Sequence, residues 1–308
     1  MAAARIIVLG SSNTDLVIRS PRLPAPGHTV LGGAFYQAHG GKGANQAVAA
    51  ARAAREPVAF IAAVGDDAFG RESLAQFARE GLDCRHVKTV AGRPSGVALI
   101  LVDHQGENLI SVASGANLEL APADVDAVSD AFFRDAKVFL TCLESPLETV
   151  ERGLVRAKQL GLRTILNPAP ADAAICRGEA LRHVDVITPN EHEAAMLSGV
   201  DTTTRDGAVA AARKLQTLGC RACIVTLGAQ GCVVVEEEAA WIEPCRVQAV
   251  DATAAGDAFN GALAVAWSEG ASLADAARWA TRAAALSVTR AGAQPSLATR
   301  AEIEAFAG

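Results

Sequence analysis

Arg5-Ile6-Ile7-Val8-Leu9-Gly10-Ser11-Ser12-Asn13 places four apolar residues between a cation and a turn of small polar residues. Such a run reads as a strand buried on both faces, the condition of a parallel sheet with helices on either side. It is too short for the apolar core of a signal peptide, and Met1-Ala2-Ala3-Ala4 adds no cleavage site, so no leader is expected. The turn after it lacks G-x-G-x-x-G, which argues against a dinucleotide-binding dehydrogenase. Further strands are predicted over 58–64, 137–142, 163–167, 184–188, 222–227 and 232–236. Helical patterns cover 44–55, 71–80, 123–133, 147–159, 191–198, 206–218, 257–269, 273–289 and 301–306. Strand alternating with helix predicts an α/β fold, a doubly wound and mostly parallel sheet flanked by helices. Ligands of such sheets sit at the carboxyl ends of the strands, so the loops there are where function is sought.

Two segments break the alternation. Residues 13–38 hold Pro21, Pro24 and Pro26 with short β-like pieces and no helix. Residues 95–113 read as two strands, 96–102 and 108–113, around Asp103-His104-Gln105-Gly106. Together they predict a small antiparallel sheet outside the main one, either a lid over a cleft or a plain extension of the sheet. The expected organisation is a core of residues 1–12, 39–94 and 114–308 with a β lid of 13–38 and 95–113.

Composition narrows the function. Half the 308 residues are hydrophobic, mostly aliphatic, with only 4% aromatic, which suits alanine-rich helices packed closely on a sheet. The net charge of -6 comes with no basic block, so nucleic acid is not an expected partner. No eighteen-residue apolar stretch occurs, so no membrane partner is expected. Seven scattered cysteines read as free thiols of a reducing compartment, and the expected location is cytoplasmic. Cys220-Arg221-Ala222-Cys223 has redox or zinc spacing but no second pair to complete a metal site.

Five motifs carry candidate chemistry. In Val250-Asp251-Ala252-Thr253-Ala254-Ala255-Gly256-Asp257-Ala258-Phe259-Asn260-Gly261, small residues open an apolar helix. Backbone N–H groups at such a helix start can close on an anion, and Asp257 is either a base for an attacking hydroxyl or an ordinary helix-start acid. Gly40-Gly41-Lys42-Gly43-Ala44-Asn45-Gln46 enters another helix, offering close backbone approach and the donors Lys42 and Asn45, or simply a turn. Asn190-Glu191-His192-Glu193 places an amide and a carboxylate three apart, suited to water around Mg²⁺ or to a capping pair. Thr226-Leu227-Gly228-Ala229-Gln230-Gly231 is a hairpin turn or a nest for a nucleotide. Asn13-Thr14-Asp15 closes the first strand, where Asp15 could accept from two sugar hydroxyls. There is no Walker A sequence, no G-x-S-x-G elbow and no H-E-x-x-H.

The sequence resembles the ribokinase/PfkB carbohydrate kinase family from about Arg5 to Phe306. The resemblance rests on Gly40-Gly41-Lys42-Gly43-Ala44-Asn45-Gln46-Ala47 and the 251–261 motif in that order. Gly65-Asp66-Asp67-Ala68-Phe69-Gly70 and Leu143-Glu144-Ser145-Pro146 support it. It implies a ribokinase-like α/β core with a small β lid, often shared across a homodimer, and an ATP-dependent sugar kinase. D-ribose is the leading acceptor. It implies Asp257 as catalytic base and the backbone of Ala254, Ala255 and Gly256 as anion hole. Asn13, Thr14, Asp15, Gly41, Lys42, Gly43, Ala44, Asn45 and Glu144 would surround the sugar. Asn190, Thr226, Leu227, Gly228, Ala229, Gln230, Gly231, Gly256 and Thr281 would meet the nucleotide. Asn190 and Glu193 would serve Mg²⁺ indirectly. Asp251, Thr253, Ser287, Arg290, Gly292 and Ser296 match the positions around an activating monovalent cation, usually K⁺. Two positions depart from the pattern: Ala254 stands where the wider family usually has glycine, and Thr281 where a histidine often lies near the adenine.

Rival acceptors stay open inside this resemblance. A nucleoside kinase needs aromatic or apolar residues against the base, and the lid segments offer mainly Phe35 and Tyr36. A sugar-phosphate kinase needs clustered cations, and Arg19, Arg22 and Arg93 do not cluster in sequence. A sensor without activity on the same fold is the remaining alternative; Asp257 and Gly256 both being present argues against it.

Overall fold

A computed structural model describes residues 5–306; residues 1–4 and 307–308, which the expected core includes, lie outside the described residues. In chain order the elements are β1 (Ile6–Leu9), β2 (Asn13–Arg19), β3 (Ala34–Gly40), α1 (Lys42–Ala53), β4 (Val58–Gly65), α2 (Ala68–Arg79) and β5 (Asp83–Val90). Next come β6 (Gly96–Val102), β7 (Asn108–Ala113), α3 (Pro122–Ala127), α4 (Asp130–Arg134), β8 (Val138–Cys142), α5 (Leu147–Gln159), β9 (Arg163–Asn167) and β10 (Val186–Ile187). The remainder is α6 (Glu191–Ser198), α7 (Arg205–Gln216), β11 (Ala222–Thr226), β12 (Cys232–Val235), β13 (Ala239–Ile242), α8 (Ala255–Ser268), α9 (Leu273–Ser287) and α10 (Arg300–Ala305).

The main sheet has the order β13-β12-β11-β10-β9-β8-β1-β4-β5 and is parallel except for its last two pairings, β11 with β12 and β12 with β13. The chain leaves β1 toward β4 on one side and returns as β8 on the other, so the strand order reverses at β1 and β8. This switch point is where a cleft opens in doubly wound sheets. Alternation along each strand divides the core. Ile6 and Val8 join Phe60, Leu140 and the alanines of α1, α8 and α9 on one face. Ile7 and Leu9 join Ile61, Phe139 and residues of α5 and α7 on the other. Among the described residues no helix is long and apolar enough to cross a membrane.

A second sheet, β3-β2-β6-β7, pairs antiparallel except where β2 meets β6. Its hairpin β6–β7 turns at the residues read from the sequence, while β3 runs on to Gly40, past the boundary expected at 38. Ile18, Phe35, Leu99, Leu109, Ile110 and Val112 of this sheet are exposed.

The elements differ from expectation in three places, the 123–133 helix, β5 and β13, while the cysteine reading stands. The single helix over 123–133 is two short helices. Arg156 of α5 donates to the carbonyls of Val125 and Val128, ending α3, and the Ser129 side chain accepts from Phe132 N–H to start α4. β5 was not anticipated because Asp83-Cys84-Arg85-His86-Val87-Lys88-Thr89-Val90 is a half-exposed edge strand with no apolar run. β13 was also missed. Cys220 and Cys223 are buried free thiols, and burial pushes the Cys220 thiol up to about 12, so neither is poised as a redox or metal pair.

Candidate active site

Asp257 lies in the first turn of α8, buried beneath the switch point. Its carboxylate takes one hydrogen bond on each oxygen from the first turns of α1: Asn45 Nδ2 donates to Oδ2 at 3.0 Å and Gln46 Nε2 to Oδ1 at 3.0 Å. Burial pushes the Asp257 carboxyl up; Lys42 and these two amides pull it back, and Glu144 adds to the rise. The α1 end reaches β1 because Gly43 has no side chain. A Cβ there would stand 2.5 Å from Gly10 C and from Ser11 N.

The sugar set assembles around this point, though unevenly. Glu144, just after β8, accepts from Ser11 Oγ and from Lys42 N–H. Asn13 Oδ1 accepts from Asn117 Nδ2 at 2.8 Å, which leaves the Asn13 amide nitrogen as the donor end. Gly41 is the N-cap of α1. Gly43 and Ala44 turn their N–H groups onto Ser11, so these two donors are spent inside the protein. Thr14 alternates to the opposite face of β2 from Asn13 and Asp15. Asp15 is pushed up to about 7 by burial, then by the charges of Glu144 and Asp257. Burial pulls Lys42 down, but Asp257 and Glu144 outweigh it and hold the ammonium charged. Three carboxyl groups against one ammonium favour a neutral polyol over an anionic one.

On the other side of Asp257 a cavity of about 190 Å³ is lined by Lys42, Asn167, Thr188, Asn190, Glu193, Thr226 and residues 254–257. Gly256 and Asp257 sit where no earlier turn supplies acceptors for their N–H groups, whereas Ala255 N–H bonds Ala252 O at 3.2 Å. Asn190 and Glu193 form a reciprocal cap, at 2.8 and 2.9 Å, yet both still face the cavity. Burial pushes Glu193 up. The 226–231 stretch is the β11–β12 hairpin connection, in which Leu227 N–H bonds Gly231 O and Gly228, Ala229 and Gln230 form one tight turn. Thr226 bridges to Asn190 and Thr281 touches Cys232, just past Gly231.

The cation set is brought together only in part. Asp251 accepts from Thr253 N–H and Oγ1 on one oxygen and from Gly292 N–H at 2.8 Å on the other. Burial acts against ionisation of Asp251, but these bonds hold its carboxyl below the usual range. The Ser287 and Ser296 hydroxyls are spent on Ala284 O and Ala293 O, and Arg290 pairs with Glu302. A larger cavity of about 530 Å³ runs along β3 and residues 291–295, touching the cation loop at Gly292 but not Asp257.

Ala254 is the one non-glycine at positive φ among the described residues, at 60°. An L-residue there is strained by about 1–2 kcal/mol, and glycine returns part of that relief as unfolded-state entropy. Ala254→Gly is therefore expected to stabilise the protein by about 0.5–1 kcal/mol, read as a small rise in melting temperature. A lower melting temperature would show that the Ala254 methyl packs usefully.

The motif readings missed five polar residues: Ser11, Gln46, Asn117, Asn167 and Thr188. Asn167 and Thr188 end predicted strands at their carboxyl side, and that position was a usable signal; Asn117 sits in a short 3₁₀ helix over Gly115–Glu119 that no sequence pattern marked.

The pfkB family carbohydrate kinase profile matches residues 3–300. The chain is 43% identical over 302 residues to a ribokinase of Haemophilus influenzae, covering 98% of this chain and 97% of that one. It superposes on a ribokinase structure from Giardia lamblia with a TM-score of 0.90 at 32% identity, each chain 98% covered. An Arabidopsis thaliana ribokinase complexed with ribose and ATP gives 0.88 at 30% identity, covering 99% of this chain and 98% of that one.

Proposed function

Because the chain belongs to the pfkB family of carbohydrate kinases, we propose that it transfers the γ-phosphoryl group of ATP to the primary hydroxyl of D-ribose, giving D-ribose 5-phosphate and ADP. The observation that carries this reading is the position of Asp257. Its carboxylate lies between the polyol-suited cluster of Asn13, Asp15, Asn45 and Glu144 and the cavity at the start of α8. The likeness to a ribokinase that binds ribose and ATP supports that pair of ligands.

Asp257 takes the proton of the attacking hydroxyl, and the N-terminal N–H groups of α8 receive the charge that develops on the phosphoryl oxygens. Lys42, shared by both sides of the site, balances charge where the two substrates meet. The nucleotide lies along the 226–231 turn toward Thr281. Oxygen donors of Asn190 and Glu193 at the cavity rim fit a hard divalent cation held through water, which would neutralise phosphate charge when bound. The ionised Asp251 and its loop fit a monovalent cation nearby. We place the protein in a homodimer whose contact is the exposed apolar residues of the second sheet, which acts as the sugar lid.

The test is ADP release with Mg-ATP across D-ribose, 2-deoxyribose, fructose and adenosine, with and without K⁺. Fastest turnover on ribose supports the proposal. A faster rival acceptor would change the substrate, and no turnover with retained ligand binding would favour a sensor. A pH series adds a sharper check. Asp15 accepts sugar hydroxyls best as a carboxylate, so ribose affinity should rise with pH up to about 7 and then level. Below that point the loss approaches about tenfold per pH unit, and Asp15→Asn should flatten the curve. The stability sign is opposite. The native protein keeps a proton on Asp15 that the unfolded chain releases near pH 4, so ligand-free stability falls as pH rises from about 4 to about 7.

A further inference from the structure

The two amides that hold Asp257 can each present either a donor or an acceptor end with almost no change in shape. An amide oxygen turned toward Asp257 would favour the protonated acid, and an N–H₂ favours the carboxylate. Something must therefore fix the orientation of Gln46, which is fully buried.

The hydrogen bonds supply that constraint from the backbone outward. Thr188 C=O can only accept, and Asn167 Nδ2 donates to it at 3.1 Å. The Asn167 oxygen then faces Gln46, whose Nε2 donates to it at 2.9 Å and to Asp257 at 3.0 Å. Gln46 Oε1 is left buried without a partner, an arrangement that costs about 1–3 kcal/mol and so is imposed by its neighbours. A second arm closes on the same helix. Gly256 C=O accepts from Asn260 Nδ2 at 2.8 Å, and the Asn260 oxygen accepts from Thr188 Oγ1 at 2.6 Å. Gln46, Asn167, Thr188 and Asn260 are each at most 6% exposed, so the bonds run inside the protein, and Asn167, Thr188 and Asn260 reach solvent only through the cavity beside Asp257.

We propose that Asn167, anchored on the Thr188 carbonyl, is a positioning residue that fixes the donor end of Gln46 on Asp257 and thereby keeps the base ionised in a buried site. This rests on the reading of Asp257 as the base. The charged and titratable groups that act on Asp257 are Lys42 from α1, Glu144 and Cys142 from the end of β8, Asp15 from β2 and Glu193 from α6. None of them is altered by a change at 167.

The experiment measures kcat and sugar KM from pH 5 to 9 for the wild-type protein, Asn167→Leu, Gln46→Glu and Asp257→Asn, with a melting temperature for each. The expected result is an acid limb of kcat displaced upward by about one pH unit in Asn167→Leu, a rate loss of about tenfold at low pH that recovers at high pH. KM for the sugar should stay within about twofold, since the sugar contacts are untouched. Gln46→Glu keeps the size but sets a carboxylate against Asp257, and should displace the limb at least as far. Gln46→Glu acts by its own charge whatever Asn167 does, so it serves as the control for a displaced limb; if Asn167→Leu does not fold, Asn167→Ala, which removes the same anchor with less bulk, takes its place. Acid limbs superimposable on wild type, or a loss uniform at every pH, overturn the proposal while an Asp257→Asn slowed at least about a hundredfold keeps the base reading. An Asp257→Asn that turns over at the wild-type rate overturns both.

Discussion

Asp257→Asn is expected to lower kcat by about 10²–10⁴-fold, with a much smaller change in KM for the sugar. The substitution keeps the volume and removes only the proton acceptor. The helix-start N–H groups and Lys42 remain, so positioning and charge stabilisation should still give a rate above background. The fold should survive. Asn45 and Gln46 both donate to the native carboxylate, and an amide at 257 can accept from only one of them. That loss of about 1–3 kcal/mol is set against relief from burying a carboxylate. ADP release with ribose and Mg-ATP measures the rate and a thermal melt the fold. A variant that melts normally and turns over at the wild-type rate would remove Asp257 from the chemistry.

Gly261→Val is expected to damage the fold severely. Helices α1 and α8 touch at this residue. A Cβ there would stand 2.6 Å from Ala49 Cβ and 2.8 Å from both Ala50 N and Gln46 O. Two of those neighbours are backbone, so relief requires moving a helix and not a rotamer. Overpacking costs of about 1–3 kcal/mol are a lower bound for such a contact, and about 3 kcal/mol or more is expected in urea unfolding. Activity should fall with it, because displacing α1 carries Asn45 and Gln46 away from Asp257. Adding Ala49→Gly should recover only part of the loss, since it frees the side-chain contact and leaves the backbone ones. Unchanged stability in Gly261→Val would mean the helices are not in contact there.

The readable parts of this protein are those where a local pattern carries the constraint. Ile6–Leu9, 58–64 and Val138–Cys142 are apolar on both faces, and only a sheet covered on both sides accommodates that. The 96–113 hairpin was legible because its turn residues sit between two β-rich runs. β5 and β13 were not, because a half-exposed edge strand has no distinctive periodicity. The break at Val128 and Ser129 depends on Arg156, whose guanidinium arrives from another helix.

The same division holds in the site. The doubly wound core, the small second sheet, and the two small-residue helix starts that hold Lys42, Asn45 and Asp257 were legible in the order of residues, because strand period, turn residues and helix-start chemistry are short-range properties. Only the tertiary structure decided that Asn45 and Gln46 meet Asp257 across more than two hundred residues, and that Gly43 and Ala44 spend their N–H groups on Ser11. It alone set the Asn167 and Thr188 amide chain behind the base. Those facts depend on how closely helices approach and on which buried donor finds which acceptor, and neither quantity is encoded within any one segment of chain.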